Sequence, residues 1–241
     1  MKADRLPVLA GGFAILSGLF SELGITHMQP TTGALREGIL YDLLGRMSDQ
    51  DMREETVAEF VRRYHVDRMQ ATRVEELAVR LFNGIAPRDD NQRAEAKRFL
   101  VWAARLHEIG ISIAHANYHK HSAYILENAD MPGFSSNDQT RLALLTRAQR
   151  GALNKLAQFS SGHPEPITET NRLLVWMLRQ AVILCRNRAD ADLSEVAAEL
   201  THDGYRLRLP SGWLDSNPLT RRALEEESAI WDAIGVAVSY A

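Results

Sequence analysis

The sequence predicts a mainly helical protein with a short α/β segment at each end. Apolar residues recur at helical spacing from about residue 47 to residue 190. Before that stretch, short apolar runs alternate with helical patterns that end in glycine, and after it apolar residues alternate with a period of two. These observations divide the chain into three predicted domains, residues 1–46, 47–190 and 191–241.

The composition is that of an ordinary globular protein, and it excludes several functional classes. Of the 241 residues, 45% are hydrophobic and 24% are charged, with a net charge of −3 and a pI near 6.2. No positive field covers the whole chain, so we expect no nucleic-acid partner. The single cysteine, Cys185, indicates a reducing compartment, so the predicted location is cytoplasmic. No apolar run reaches the roughly 18 residues of a transmembrane segment.

The first segment is predicted to be a β-α-β-α unit. Its apolar start, preceded by two basic residues, also resembles a secretory signal, but a proline and a glycine pair interrupt it. We expect a tight turn at Gly11-Gly12 and a helix that ends at Gly24. So short a segment cannot cover both faces of a parallel sheet, so we expect it to be the end of a larger domain. The expected elements are strands 6–10 and 25–28 and helices 13–23 and 34–44.

Five helices are predicted in the middle segment. The third is expected to run without a break over residues 91–115. Capping signals precede the first, fourth and fifth helices. The capping residues are Ser48 with Asp51, Ser136 with Gln139, and Thr168 or Thr170.

The last segment predicts a small β-β-α-β module. Residues 196–200 and 205–209 alternate between apolar and polar side chains, and Asp203-Gly204 between them is a hairpin signal. Asn217 followed by Pro218 marks the start of a helix. Residues 236–240 alternate again and form the last predicted strand.

Histidines of the middle segment allow two interpretations. In a continuous helix, His107, Ile111 and His115 share one face, and Glu108 follows His107 directly. With His65 from another helix, these residues supply the imidazoles and carboxylate that bind a divalent metal. Such a metal would activate water for phosphate-ester hydrolysis. The alternative is that each histidine is a core or surface residue satisfied by a hydrogen bond.

Charge is distributed unevenly along the second half of the chain. Residues 141–190 contain eight Lys/Arg and three Asp/Glu, whereas residues 191–241 contain four Arg and nine Asp/Glu. A basic stretch beside an acidic tail would provide a local anion site. The alternative is two solvated faces of opposite sign.

Three stretches carry a resemblance to a known family. The most specific is His107-Glu108-Ile109-Gly110 with residues 118–126 and with Asp130-Met131-Pro132-Gly133-Phe134. Residues 33–42 are a second stretch that carries the resemblance, and the tail, within residues 205–231, carries it more loosely. Together they resemble the C-terminal half of exopolyphosphatases, whose architecture is shared by the guanosine pentaphosphate phosphohydrolases.

The resemblance implies a longer protein whose two halves have different functions. In this family, an N-terminal actin-like (ribonuclease H-like) half releases terminal phosphate from inorganic polyphosphate with carboxylates and Mg²⁺. Segment 1–46 would be the end of that half, with Gly11 and Gly12 lining its phosphate cleft, and segment 47–190 would be an HD-like helical domain. We therefore expect no catalytic residue and no cofactor in this chain, and a homodimer that holds polyphosphate.

The sequence departs from the HD phosphohydrolase pattern at two ligand positions. An active HD site has His-Asp where this chain has His107-Glu108, and a late Asp where it has Leu184-Cys185 or Asn187. A displaced carboxylate and a missing oxygen ligand weaken metal binding. The resemblance thus implies that His65, His107 and Glu108 form a vestigial or purely structural cluster, unless Asp190 supplies the missing ligand.

Basic residues of the helical segment are the candidates for holding a phosphate chain, through many weak, salt-sensitive contacts. The candidate residues are His119, Lys120, His121, Arg147 and Arg150. The alternative is that these residues are solvated surface charge.

The predicted function is that of the C-terminal part of an exopolyphosphatase. The alternatives are a guanosine pentaphosphate phosphohydrolase, a non-catalytic polyanion-binding or dimerisation module, and a stand-alone metal-dependent HD phosphohydrolase.

Overall fold

The computed structural model describes residues 9–28, 52–85, 90–153 and 168–241. Helices dominate these ranges and one three-stranded sheet follows them, which confirms the mainly helical prediction. No helix within these ranges is both long and apolar enough to cross a membrane. The chain divides into two units, Met1–Ala34 and Leu35–Ala241. The predicted helix 34–44 and the capping pair at 48 and 51 lie outside the described residues.

The first unit contains helix α1, Leu9–Leu23, which buries none of its residues. Gly11 and Gly12 lie inside this helix, so the predicted turn at the pair is wrong, as is the predicted strand where it includes residues 9 and 10. A helix forms because the apolar run continues through both glycines, and each costs only about 1 kcal/mol in a helix. The role of Gly11 and Gly12 in a phosphate cleft stays a prediction, now without the turn on which it depended.

Gly24 ends α1, as predicted. Its φ of +62° is the left-handed conformation that glycine adopts readily, and the backbone N–H of Ile25 donates to the Phe20 carbonyl oxygen at 3.1 Å. Residues 25–28 form no strand, so the second predicted strand is wrong. A strand needs a neighbour, and the sheet found in the described residues is built entirely from the C-terminal part of the chain.

Six helices form between residues 52 and 184 in the described ranges, and their apolar faces pack into one core. α3 shows the predicted periodicity, because its apolar residues between 74 and 82 are buried at helical spacing. The helices are α2 (Met52–Arg63), α3 (Arg68–Ile85), α4 (Asp90–Leu106), α5 (Tyr118–Asn128), α6 (Ser136–Ala148) and α7 (Glu169–Leu184).

The caps of α6 and α7 lie at or next to the predicted residues. The capping box of α6 joins Ser135 and Asp138, whose side chains each accept a hydrogen bond from the other's backbone N–H. The predicted box at Ser136 and Gln139 is therefore wrong by one residue. Gln139 instead donates to backbone carbonyls before α6, which leaves it unable to cap. Thr168 caps α7, which confirms one of the two predicted residues.

The predicted helix over residues 91–115 is broken. α4 ends at Leu106, and a short 3-10 turn over residues 109–112 follows. Gly110 explains the break, because it lies against the backbone of α5. A Cβ at this position would lie 2.2 Å from the Tyr118 carbonyl oxygen and 2.3 Å from the Ser122 nitrogen. The chain therefore leaves the helix to make this close approach.

The side chain of Ser122 replaces part of the helical hydrogen bonding at the break. Its hydroxyl donates to the His107 carbonyl oxygen and accepts from the Gly110 N–H, both at 3.0 Å. His107 and the residues after it therefore do not continue the helix. The prediction that His107, Ile111 and His115 share one helical face is wrong for this reason.

The C-terminal residues form the predicted β-β-α-β module. Strand β1 (Ala197–Leu200) pairs antiparallel with β2 (Gly204–Arg208), and β2 pairs parallel with β3 (Ala237–Tyr240). Between β2 and β3 lie a short helix, α8 (Trp213–Ser216), and a longer one, α9 (Pro218–Asp232). The parallel pair is possible because α9 returns the chain to the end of the sheet at which β2 began.

Aromatic and charged side chains join this module to the helices before it. Tyr205 of β2 stacks on Trp176 of α7 with 4.8 Å between ring centroids, and it meets Trp231 of α9 edge-on at 5.8 Å. Arg179 of α7 pairs with Glu227 of α9 with both side chains buried. The hydrophobic core is therefore continuous from Val57 to Val238.

Candidate functional site

His107 is buried and uncharged at neutral pH. Its ring Nδ1 donates to the Ala104 carbonyl oxygen at 2.7 Å, and its own carbonyl accepts from Ser122 and Gln149. Burial lowers the pKa of His107, against the opposing charge of Glu108, so the imidazole is neutral. Within the described ranges, its Nε2 has no hydrogen-bond partner.

The neighbouring carboxylate of Glu108 is held by an arginine. Arg188 donates to Glu108 Oε1 at 2.6 Å and to Asp67 Oδ2 at 2.8 Å, so one guanidinium bridges two carboxylates. Asp67 also caps α3 by accepting from the Gln70 backbone N–H at 3.1 Å. That N–H and the charge of Arg188 both lower the pKa of Asp67 and keep it ionised. We call Asp67, Glu108 and Arg188 the arginine bridge.

The arginine bridge occupies one oxygen of each carboxylate that a metal ion would use. A metal ligand must direct a lone pair at the ion, and these oxygens already accept charge-assisted hydrogen bonds. In the part of the chain that the structure describes, no group of three His, Cys, Asp or Glu side chains is placed to hold a metal ion. As arranged, these residues do not fit a divalent metal. That the cluster is vestigial stays a prediction.

The two remaining predicted ligands line separate clefts. His65 is exposed in the turn between α2 and α3, where it lines a cleft of about 500 Å³ with Glu108 and Arg188. Asp190 pairs with Arg73 at 2.7 Å and lines a different cleft. This arrangement gives no support to Asp190 as a replacement for the missing HD ligand, which stays a prediction.

A second cleft, of about 330 Å³, is lined by Glu108 and Arg188 of the arginine bridge and by two further arginines. Arg150 lies just after α6, with its guanidinium carbon 5.7 Å from the centroid of the Tyr118 ring. Arg186 lies just after α7, and Arg188 follows two residues later. Among the described residues, Glu108 is the one acidic residue that lines this cleft. We call it the arginine cleft.

The five residues predicted to hold a phosphate chain differ in exposure. His119 is 7% exposed, and burial together with Arg147, Arg150 and other cations lowers its pKa to about 4. It therefore presents no charge to solvent at neutral pH. Lys120 and Arg150 are exposed, whereas His121 and Arg147 are half-buried. Of the five, Arg150 lines the arginine cleft.

Sequence reasoning missed Asp67, Arg186 and Arg188. Two signals could have found them. Asp67 directly precedes the apolar pattern of α3, which is a capping signal. The two arginines follow α7 and flank Asn187, one of the residues aligned with the late Asp of the HD pattern, so basic residues adjoin a position expected to be acidic.

Comparison with known proteins gives one family for most of the chain. The family model described as Ppx/GppA phosphatase, domain III, matches residues 52–228. This range contains the arginine bridge and the arginine cleft. It begins at the first residue of α2 and ends within α9.

Individual relatives match nearly all of the chain. The "Guanosine-5'-triphosphate,3'-diphosphate pyrophosphatase" of Pseudoalteromonas translucida is 38% identical over 228 residues, which is 95% of this chain and 45% of that protein. Proteins of the same name from Aeromonas hydrophila and Pseudoalteromonas atlantica are 37% and 36% identical over 227 residues. The chain thus spans less than half the length of these relatives.

Proposed function

This chain belongs to the Ppx/GppA phosphatase family, and from that premise we propose that it is the C-terminal part of a phosphohydrolase that acts on guanosine 5′-triphosphate 3′-diphosphate. The names of the relatives support this substrate over inorganic polyphosphate. Hydrolysis takes place in the part of the longer protein that this chain does not include. The helical region positions and retains the anionic substrate for that part.

The observation that carries this proposal is the arginine bridge. An HD-type hydrolase needs carboxylates that are free to hold a metal and its activated water. Here the carboxylates of Asp67 and Glu108 are bound by Arg188, and the nearest imidazole, that of His107, is buried. The donor set therefore favours a retaining role over a hydrolytic one, which argues against the stand-alone HD phosphohydrolase.

Inorganic polyphosphate remains the second candidate substrate. The arginine cleft and the exposed Lys120 favour it, because arginine and lysine bind phosphate groups whether or not a nucleoside is attached. Both substrates contain phosphoanhydride bonds, so the same hydrolytic chemistry serves either. The homodimer and the cytoplasmic location stay predictions.

A chimera tests the proposed function. In the Aeromonas hydrophila relative, the matching segment is replaced by this chain, and phosphate release is measured with guanosine 5′-triphosphate 3′-diphosphate and with long-chain polyphosphate. We expect the chimera to hydrolyse the guanosine compound at a rate within about tenfold of the intact relative. The isolated chain, and the relative without the segment, are expected to release no phosphate.

Two results would contradict the proposal. Release of phosphate by the isolated chain at the rate of the chimera would place hydrolysis in the helical region. A chimera that hydrolyses polyphosphate and leaves the guanosine compound intact would assign the exopolyphosphatase activity instead. Thermal unfolding of the chimera as a single folded protein controls for misassembly of the two parts.

A further inference from the structure

We propose that the arginine cleft binds a compact diphosphate group, with Arg150 and Arg186 as its direct ligands and Arg188 as a fixed cation behind them. The cleft measures about 330 Å³ and three guanidinium groups line it. Guanidinium groups bind phosphate oxygens through two parallel hydrogen bonds, which suits a small ligand with several oxygens.

The charge balance of the cleft favours an anion. Glu108 is the one acidic residue that lines it in the described part of the chain, and that carboxylate is 11% exposed and already bound to Arg188. Neither Arg150 nor Arg186 makes an ion pair with a carboxylate in the part of the chain that the structure describes. The arginine bridge, one cation between two carboxylates, carries a net charge of −1, so Arg150 and Arg186 bring these five described groups to a net charge of +1.

Other side chains bind carbonyl oxygens at the helix ends that carry these arginines. The buried Arg179 donates to the carbonyl of Ala148, the last residue of α6, at 2.7 Å and to that of Gly151 beyond it at 3.0 Å. At the end of α7, the Cys185 carbonyl accepts from Gln70 at 2.9 Å. These carbonyls therefore do not depend on Arg150 or Arg186, which can turn to a ligand.

Cations near the cleft act on a neighbouring histidine. His119, next to Tyr118 of the cleft wall, has a pKa of about 4, mainly because of its burial and in part because of cations that include Arg150. The part of this effect that comes from the cations favours a negative group nearby. At Tyr118 itself, burial and the charge of Glu108 raise the pKa and keep the hydroxyl protonated, so it can donate to a ligand.

Arg188 gives the cleft rigidity. Its side chain is fixed by Asp67 and Glu108, and its backbone N–H donates to the Cys185 carbonyl at 3.1 Å. A cation that is fixed before binding loses less conformational entropy when the anion arrives. The natural source of the diphosphate group rests on the proposed function, but the binding itself does not.

Calorimetric titration of the full chain with inorganic pyrophosphate, without divalent metal and at about 20 mM salt, tests this inference. We expect saturable one-to-one binding that the double variant Arg150→Gln/Arg186→Gln weakens on the order of tenfold or more. Arg208→Gln makes half of that charge change on an exposed residue of β2 outside the cleft, and it should leave the affinity unchanged. Both mutated arginines of the double variant are exposed, and its melting temperature confirms that it folds.

Pyrophosphate binding that is unchanged in the double variant, or absent in the unmodified chain, would overturn the inference. Parallel titrations with guanosine 5′-diphosphate and with polyphosphate distinguish the sources of the group, since the natural source should bind more tightly than pyrophosphate. These titrations need no hydrolysis. The chimera can therefore fail while pyrophosphate binding is observed, or succeed while it is not. Each proposal can thus be rejected without the other.

Discussion

The imidazole of His119 lies buried at the start of α5 and close to several cationic side chains. Its position in a basic run of the sequence suggested a residue that binds phosphate from the surface. Burial and the charges of Arg147 and Arg150 instead lower its pKa to about 4. The exposure of the His119 side chain decides its protonation state, and a run of basic residues in the sequence does not indicate exposure.

Protonation of His119 should couple the stability of the protein to pH. The unfolded histidine titrates near pH 6.5 and the folded one near 4, so the unfolded chain binds more protons between these values. The contribution of His119 to the free energy of unfolding, roughly 3 kcal/mol, is fully present above pH 6.5. It is lost as the pH decreases towards 4. The buried His107 contributes in the same direction.

Urea denaturation between pH 7 and pH 4 measures this coupling. We expect His119→Gln to reduce the slope of unfolding free energy against pH, whatever its effect on stability at pH 7. His202→Gln, at an exposed loop position, should keep the slope of the unmodified chain. An unchanged slope for His119→Gln would show that His119 is protonated alike in both states.

At the scale of elements, the buried pair of Arg179 and Glu227 joins α7, α9 and the end of α6. The two side chains are 2% and 3% exposed, and Glu227 also accepts from the indole N–H of Trp231 at 2.6 Å. Removing one partner leaves the other charge buried without compensation. We expect Arg179→Met to destabilise the protein by about 3–5 kcal/mol.

A double-mutant cycle measures this pair by urea denaturation. Arg179→Met/Glu227→Leu should cost less than the sum of the two single changes, because it leaves no buried charge unpaired. Arg222→Met is the control, since its pair with Glu226 is exposed on the same helix and should contribute less than about 1 kcal/mol. If the losses of unfolding free energy are additive, or if the Arg179→Met variant is as stable as the control, the buried pair does not join these helices as described.

Elements with one buried face could be predicted from the sequence, whereas elements decided by glycine could not. The buried positions of α3 and the order of the C-terminal module follow their periodicities. Gly11-Gly12 was predicted as a turn and is helical, while Gly110 was predicted as helical and breaks the helix. The difference lies in packing: in the described ranges a Cβ at Gly11 or Gly12 meets nothing within 4 Å, but α5 lies against Gly110.

The candidate site could be predicted in part. Spacing and resemblance singled out His107, Glu108 and Arg150, which lie in or beside the two clefts. They gave no indication of the partner of Glu108, because Arg188 is 80 residues away in sequence from Glu108 and 121 from Asp67. Contacts at such separations come from the packing of helix ends, which no local pattern encodes.

At the scale of the whole molecule, the basic stretch over residues 141–190 supplies the arginines of both the bridge and the cleft. Arg188 closes the arginine bridge, and Arg150 and Arg186 line the adjacent cleft. We propose that this part of the chain retains phosphate groups and does not hydrolyse them. The relatives, of which this chain spans 45%, have the length to supply a separate hydrolytic part.

Binding of Mn²⁺ to the metal-stripped chain, followed by electron paramagnetic resonance, tests this claim most directly. Because Arg188 already binds the carboxylates of Asp67 and Glu108, we expect no binding tighter than about millimolar. Stoichiometric micromolar binding that is lost in both His107→Asn and Glu108→Gln would contradict the account, since a working metal site would then exist in the helical region.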